Sequence, residues 1–185
     1  MLKTATKLKL VATALVVSAS MILSSAAFAD KDGMSKGKER FKPGNQTIAE
    51  IAIENGNFTT LVSALVCTEL AGIFFNPAVE LTVFAPTDDA FGNLGLNADN
   101  ICEALDKETL SSVLLYHVVG ERRPSPSVIN GMNKEIETLL PEAFLYPEGM
   151  RSLVIDANNS SANIVIPDIL ASNGIIHVVS EVLLP

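Results

Sequence analysis

A chain of 185 residues is the length of one domain, with enough sequence to bury a sizeable core, and a hydrophobic fraction of 48% agrees. Its formal charge is −8 and its few arginines are scattered apart from Arg122 and Arg123, so it lacks the basic footprint that phosphate backbones require. Nucleic acid is therefore not an expected partner.

Lys3, Lys7 and Lys9 precede an apolar run over residues 10–23, and Ala27-Phe28-Ala29 offers the small-x-small pattern of a signal-peptidase site. Residues 1–29 read as a signal peptide. Its removal takes away three lysines and no acid, so the formal charge moves from −8 to −11. No later apolar run approaches the length of a membrane span, and no cysteine follows the site to carry a lipid. The expected location is secreted or periplasmic. Residues 30–44 hold Lys31, Lys36, Lys38, Arg40 and Lys42 among Gly, Ser and Met, and read as a flexible basic leader. Residues 45–185 form the domain.

Thr47 and Glu50 make a capping box, and Ile48, Ile51 and Ala52 recur at helical spacing up to the break at Gly56. A second helix is expected over 58–73, with Asn76-Pro77 turning the chain into a strand. In that strand Leu81, Val83 and Ala85 alternate with Thr82 and Phe84. Pro86 stops the pairing, and Thr87, Asp88 and Asp89 are each able to cap the helix that follows. Asp99 is expected to cap a helix through Leu105, and Asp106 another in which Leu110, Val113 and Leu114 face inward. Short strands are then expected over 116–119, 136–140, 143–146, 152–155, 163–166 and 175–184, separated by Asn130-Gly131, Pro147 with Gly149, Asn158-Asn159 and Asn173-Gly174. Helices first and strands later is an α+β pattern.

Three stretches carry a resemblance: residues 82–91 (Thr-Val-Phe-Ala-Pro-Thr-Asp-Asp-Ala-Phe), residues 114–119 (Leu-Leu-Tyr-His-Val-Val), and Asn173-Gly174-Ile175-Ile176-His177-Val178-Val179 running on to Leu183-Leu184-Pro185. In this order they resemble the signature segments of the fasciclin domain, a secreted adhesion module. The resemblance spans residues 45–185. It implies a wedge or sandwich of short strands with helices packed along one side, in a single-domain member. It also implies partner-binding positions at Tyr116-His117 and at Asp168-Ile169.

The chemistry-bearing residues are few. His117 is expected to share a strand face with Leu115 and Val119, and His177 with Ile175 and Val179, positions that suit hydrogen-bonded structural groups. Neither has the clustered ligands of a metal site, and Gly-x-Ser-x-Gly is absent, so no cofactor, metal or catalysis is expected. Two cysteines in an exported chain suggest one disulfide, Cys67 to Cys102; Cys67 lies nearly opposite the apolar stripe of its helix.

The function expected is a non-enzymatic adhesion module that recognises a cell-surface or matrix protein or polysaccharide. The resemblance also implies an alternative, because some fasciclin relatives bind carotenoids: a carrier of an apolar ligand such as a carotenoid or lipid, held in a groove beside the first two helices with Phe74 and Phe75 at its edge. A hydrolase built on serine, histidine and aspartate is a third class.

Overall fold

The computed structural model describes residues 44–129, 135–148, 154–157 and 160–185. The expected signal peptide, all of the leader but Gly44, and the turns at Asn130-Gly131, Gly149 and Asn158-Asn159 lie outside the described residues.

Helix α1 (Ile48–Asn55) starts at the capping box read from the sequence, with Thr47 and Glu50 each accepting from the other's backbone N–H, and ends at Gly56 with φ 72°. The single helix expected over 58–73 is instead two, α2 (Thr59–Cys67) and α3 (Ala71–Phe75). Glu69 takes a left-handed conformation, φ 62°. Its N–H reaches the Val66 carbonyl at 3.1 Å, and the Leu70 N–H reaches Leu65 at 3.0 Å. These are the two bonds of a helix-ending Schellman turn, built here without glycine.

Strand β1 (Leu81–Pro86) passes into α4 (Asp88–Gly92) through Thr87, whose hydroxyl accepts the Ala90 N–H. Next come α5 (Ile101–Ala104) and α6 (Lys107–Tyr116), the latter capped by Asp106. Asn97, not Asp99, accepts the N–H groups of residues 99 and 100 ahead of α5. The strand expected over 116–119 shrinks to β2 (Val118–Val119), because α6 runs on to Tyr116 and His117 is its C-cap. After α7 (Ser125–Ile129) come β3 (Ile136–Glu137), β4 (Phe144–Glu148), β5 (Val154–Ala157), β6 (Ser160–Ala171) and β7 (Gly174–Val179).

These strands form one sheet in the order β2-β1-β7-β6-β5-β4-β3, with β7 parallel to β1 and the other neighbouring pairs antiparallel. Every residue of β1 and β7 is buried, because each face of this pair meets a different core. Val83, Ala85, Ile176 and Val178 pack against α1, α2, α4 and α6. On the reverse face Phe84 and Val179 join Ile136, Leu145, Ala162 and Ile164. Strands from the far end of the sheet thus curl over its centre, and the Leu139 N–H bonds the Val118 carbonyl at 2.7 Å to bring the two ends together. The architecture is the expected α+β wedge, with helices along one side of the central strands.

Candidate functional site

The expected partner-binding pair Asp168-Ile169 lies in β6 where that strand departs from regular pairing. The register with β7 slips between Ile164 and Ile166 and again between Ile166 and Ile169. Pro167 has no N–H to give to the ladder, and Asp168 sits at φ 58°, which an aspartate tolerates better than most residues. One consequence is outward. Val165 and Ile166 are 54% and 53% exposed in the middle of a strand. The other is inward: the Asp168 N–H turns to His177 Nδ1 at 3.2 Å.

A polar node follows beneath this bulge. The segment leading into α7 crosses the end of the central strands, and each strand holds it by one side chain. Thr82 on β1 donates its hydroxyl to the Glu121 carbonyl and accepts the Arg123 N–H, both at 2.7 Å. His177 on β7 donates from Nε2 to the Arg123 carbonyl at 2.9 Å. On β6 the Asp168 carboxylate accepts the Ser125 N–H at 2.7 Å and the Ser125 hydroxyl as well. Because a backbone N–H can only donate, His177 Nδ1 is an acceptor, so the ring is neutral with its proton on Nε2. Burial pushes its pKa below the ordinary value, while the Arg123 carbonyl and the Asp168 charge pull it back up.

Serine, histidine and aspartate therefore do converge, at Ser125, His177 and Asp168, but not as an acyl-transfer system. The serine donates directly to the aspartate, and both ring nitrogens are taken up by backbone groups. The imidazole in this arrangement offers Ser125 no base. Among the described residues no three His, Cys, Asp or Glu side chains cluster as metal ligands would.

Tyr116 and His117 lie at 0% and 2% exposure, not on a strand surface. The Tyr116 hydroxyl donates to the Phe144 carbonyl at 2.9 Å. His117 Nδ1 donates to the Val113 carbonyl at 2.7 Å, while Nε2 accepts the Leu183 N–H at 2.9 Å. The ring thus ties the end of α6 to the C-terminal segment, and burial lowers its pKa to about 4. Both side chains support the two cores and are out of reach of a partner in this conformation.

The groove expected beside the first helices resolves into two small spaces. One is an internal cavity of about 20 Å³ between α1, α2, Phe74 and the central strands. The other is a cleft of about 50 Å³ rimmed by Ile53, Val66 and Phe75, each substantially exposed. Nearby, Cys67 and Cys102 are joined in a disulfide that ties α2 to α5.

Two polar side chains given no site role in the sequence analysis hold these regions in place, Asn173 beside the first helices and Ser125 beneath the β6 bulge. Asn173, fully buried, accepts the Ile48 N–H at 2.9 Å and donates to the Phe74 and Asn76 carbonyls, so it closes the start of α1 and the end of α3 together. Ser125 had no motif to mark it. Only its place before Pro126, at the start of a short helix, is a local signal.

Among known proteins, the fasciclin domain model matches residues 56–185. Protein sll1483 of Synechocystis sp. is 34% identical over 140 residues, covering 75% of this chain and 73% of that protein. Fasciclin-1 of Schistocerca americana is 28% identical over 127 residues, covering 64% of this chain but 19% of that much longer protein. The solved FAS1 domain pair from the insect cell adhesion molecule Fasciclin I shares the fold with a TM-score of 0.67 at 18% identity, over 76% of this chain and 51% of that one. With a family match over well more than half its length and the expected wedge architecture, the chain belongs to the fasciclin domain family.

Proposed function

We propose that this chain is a secreted or periplasmic, non-catalytic adhesion module, and that residues 165–169 of β6 form its contact surface for a cell-surface or matrix protein or polysaccharide. The observation that carries this reading is the pair Val165 and Ile166, half-exposed aliphatics on a bulged strand beside Asp168. Exposed apolar groups on a strand, beside a carboxylate held by Ser125, are suited to a partner with an apolar patch and a basic or neutral rim. The kinship with the cell adhesion molecule Fasciclin I supports the same class of function. Tyr116 and His117 contribute to it as buried supports.

The test is attachment of the domain to surface material of its host, comparing wild type with Val165→Ser/Ile166→Ser. Both side chains are solvent-facing, so the variant is expected to keep its melting temperature within a few degrees while attachment falls at least tenfold. Unchanged attachment would move the contact surface elsewhere. Asp168→Ala is a poorer probe, because it also strips Ser125 of its acceptor.

A second reading, binding of a polyene or acyl chain, finds support in the cleft rimmed by Ile53, Val66 and Phe75. At about 50 Å³ the cleft falls far short of the several hundred Å³ that enclose a small ligand, so it would hold one edge of such a chain at the surface. A pigment or lipid near one equivalent per chain, extracted from protein purified without detergent, would favour this reading.

A further inference from the structure

The Asp168 carboxylate stands between two competing partners. In the neutral state it accepts both donors of Ser125, and its own backbone N–H is received by His177 Nδ1. Adding a proton to His177 removes that acceptor, and the new Nδ1–H then faces the Asp168 N–H, donor against donor. The other nitrogen offers no escape, since Nε2–H already donates to the Arg123 carbonyl. From β1 the ring meets Phe84, with centroids 5.5 Å apart, and from the segment before α7 it meets the Arg123 backbone, whose guanidinium is engaged by Glu121. From β6 the charged group acting on it is Asp168. Among the described residues the anion that acts on the ring is therefore Asp168, the one holding Ser125.

We infer that His177 is the positioning residue for the bulge at Asp168, and that its protonation draws the Asp168 carboxylate away from Ser125, releases the residue-168 amide and so makes attachment through residues 165–169 acid-sensitive. The inference rests on the proposed contact surface for its last step alone. Its geometric steps stand on hydrogen bonds that the contact surface does not enter. Regulation of this kind needs a two-state element, and the inference gives that part to the strand bulge, where a left-handed aspartate has its amide received by one ring nitrogen.

The chain has two histidines, so two sets of imidazole resonances report the titration of each ring directly. Amide exchange of residue 168 is followed on the intact domain from about pH 7.5 to about pH 4.5, after correction for intrinsic exchange, with the amide of Ile176 in β7 as a control. Protection at residue 168 is expected to fall at least tenfold in step with the His177 resonances while Ile176 stays protected. Protection that does not follow the His177 titration would overturn the inference. In His177→Gln, whose side-chain amide can accept from residue 168 and donate to Arg123 without titrating, both protection and attachment are expected to lose their pH dependence. An acid loss of attachment equal in wild type and H177Q would count against the switch. Should the variant not fold, the wild-type exchange experiment decides by itself. Release of the residue-168 amide with attachment unchanged would uphold the switch and reject the contact surface.

Discussion

Burial pushes the His117 pKa from 6.5 down to about 4, against the Val113 carbonyl that pulls it up, and a proton on Nε2 would also face the Leu183 N–H. The unfolded chain binds this proton near pH 6.5 and the folded chain only near pH 4. Between those values acid therefore favours unfolding, and the stability carried by the neutral ring is present above pH 6.5 and lost as pH falls toward 4. The loss expected is on the order of 3 kcal/mol, read as a falling urea midpoint over that window. His117→Gln should flatten the slope, and an equally steep one would place the acid sensitivity in other groups. The sequence made it legible that this histidine is structural, because it offers no neighbouring ligands. Its secondary structure was not legible. Tyr116, His117, Val118 and Val119 read locally as a strand, whereas Tyr116 packs into the second core as the last residue of α6 and His117 is its C-cap.

Caps divide in the same way at the scale of elements. Thr47 with Glu50, Thr87 and Asp106 each serve the helix that follows them, and each could be read from neighbouring residues. Asp88 does not serve only its own helix: its carboxylate accepts the N–H groups of Thr59 and Thr60 at 3.1 and 2.8 Å, and so caps α2 from 28 residues downstream. Partial burial pushes its pKa up, and the bonds from Thr60 and Thr59 outweigh that and hold it below the usual carboxylate value. A partner so distant in sequence leaves no local mark, so α2 had no visible cap. Asp88→Ala is expected to cost about 1 to 2 kcal/mol, measured by urea unfolding, whereas a loss of a few tenths would mean that Thr59 and Thr60 find other acceptors. The early end of α2 was hidden for a similar reason, since Glu69 adopts a conformation usually marked by glycine. Where glycine is required, the signal was plain. Gly174 lies opposite Leu81 in the parallel pair, and a Cβ there would strike the Leu81 carbonyl oxygen and come within 2.6 Å of Ile48. Gly174→Ala should therefore force β1 and β7 apart and lower the melting temperature by well over 10 °C, a shift of several kcal/mol. A variant melting as wild type would contradict that close approach.

For the molecule as a whole, two cores share one pair of central strands, and the disulfide adds a covalent tie at the helical side. Reduction opens a loop set by a sequence separation of 35, so the chain-entropy model expects a loss of about 3 to 4 kcal/mol. Unfolding with and without reductant measures it, and coincident curves would show that the tie adds nothing. The fold was legible because strand alternation, caps and turn residues agree along most of the chain. The site was only partly so. Asp168 could be named, but the bulge that exposes Val165 and Ile166 and the convergence of Ser125 and His177 on Asp168 depend on pairing across β6 and β7, and pairing register leaves no trace in a short local pattern. The measurement that bears most directly on the account is a hydrogen-exchange footprint of the domain with and without the host surface material to which it attaches. Protection concentrated on residues 160–169, with little change at α1 and α2, is the predicted result; protection centred on the cleft at Ile53, Val66 and Phe75, with residues 160–169 unchanged, would contradict it.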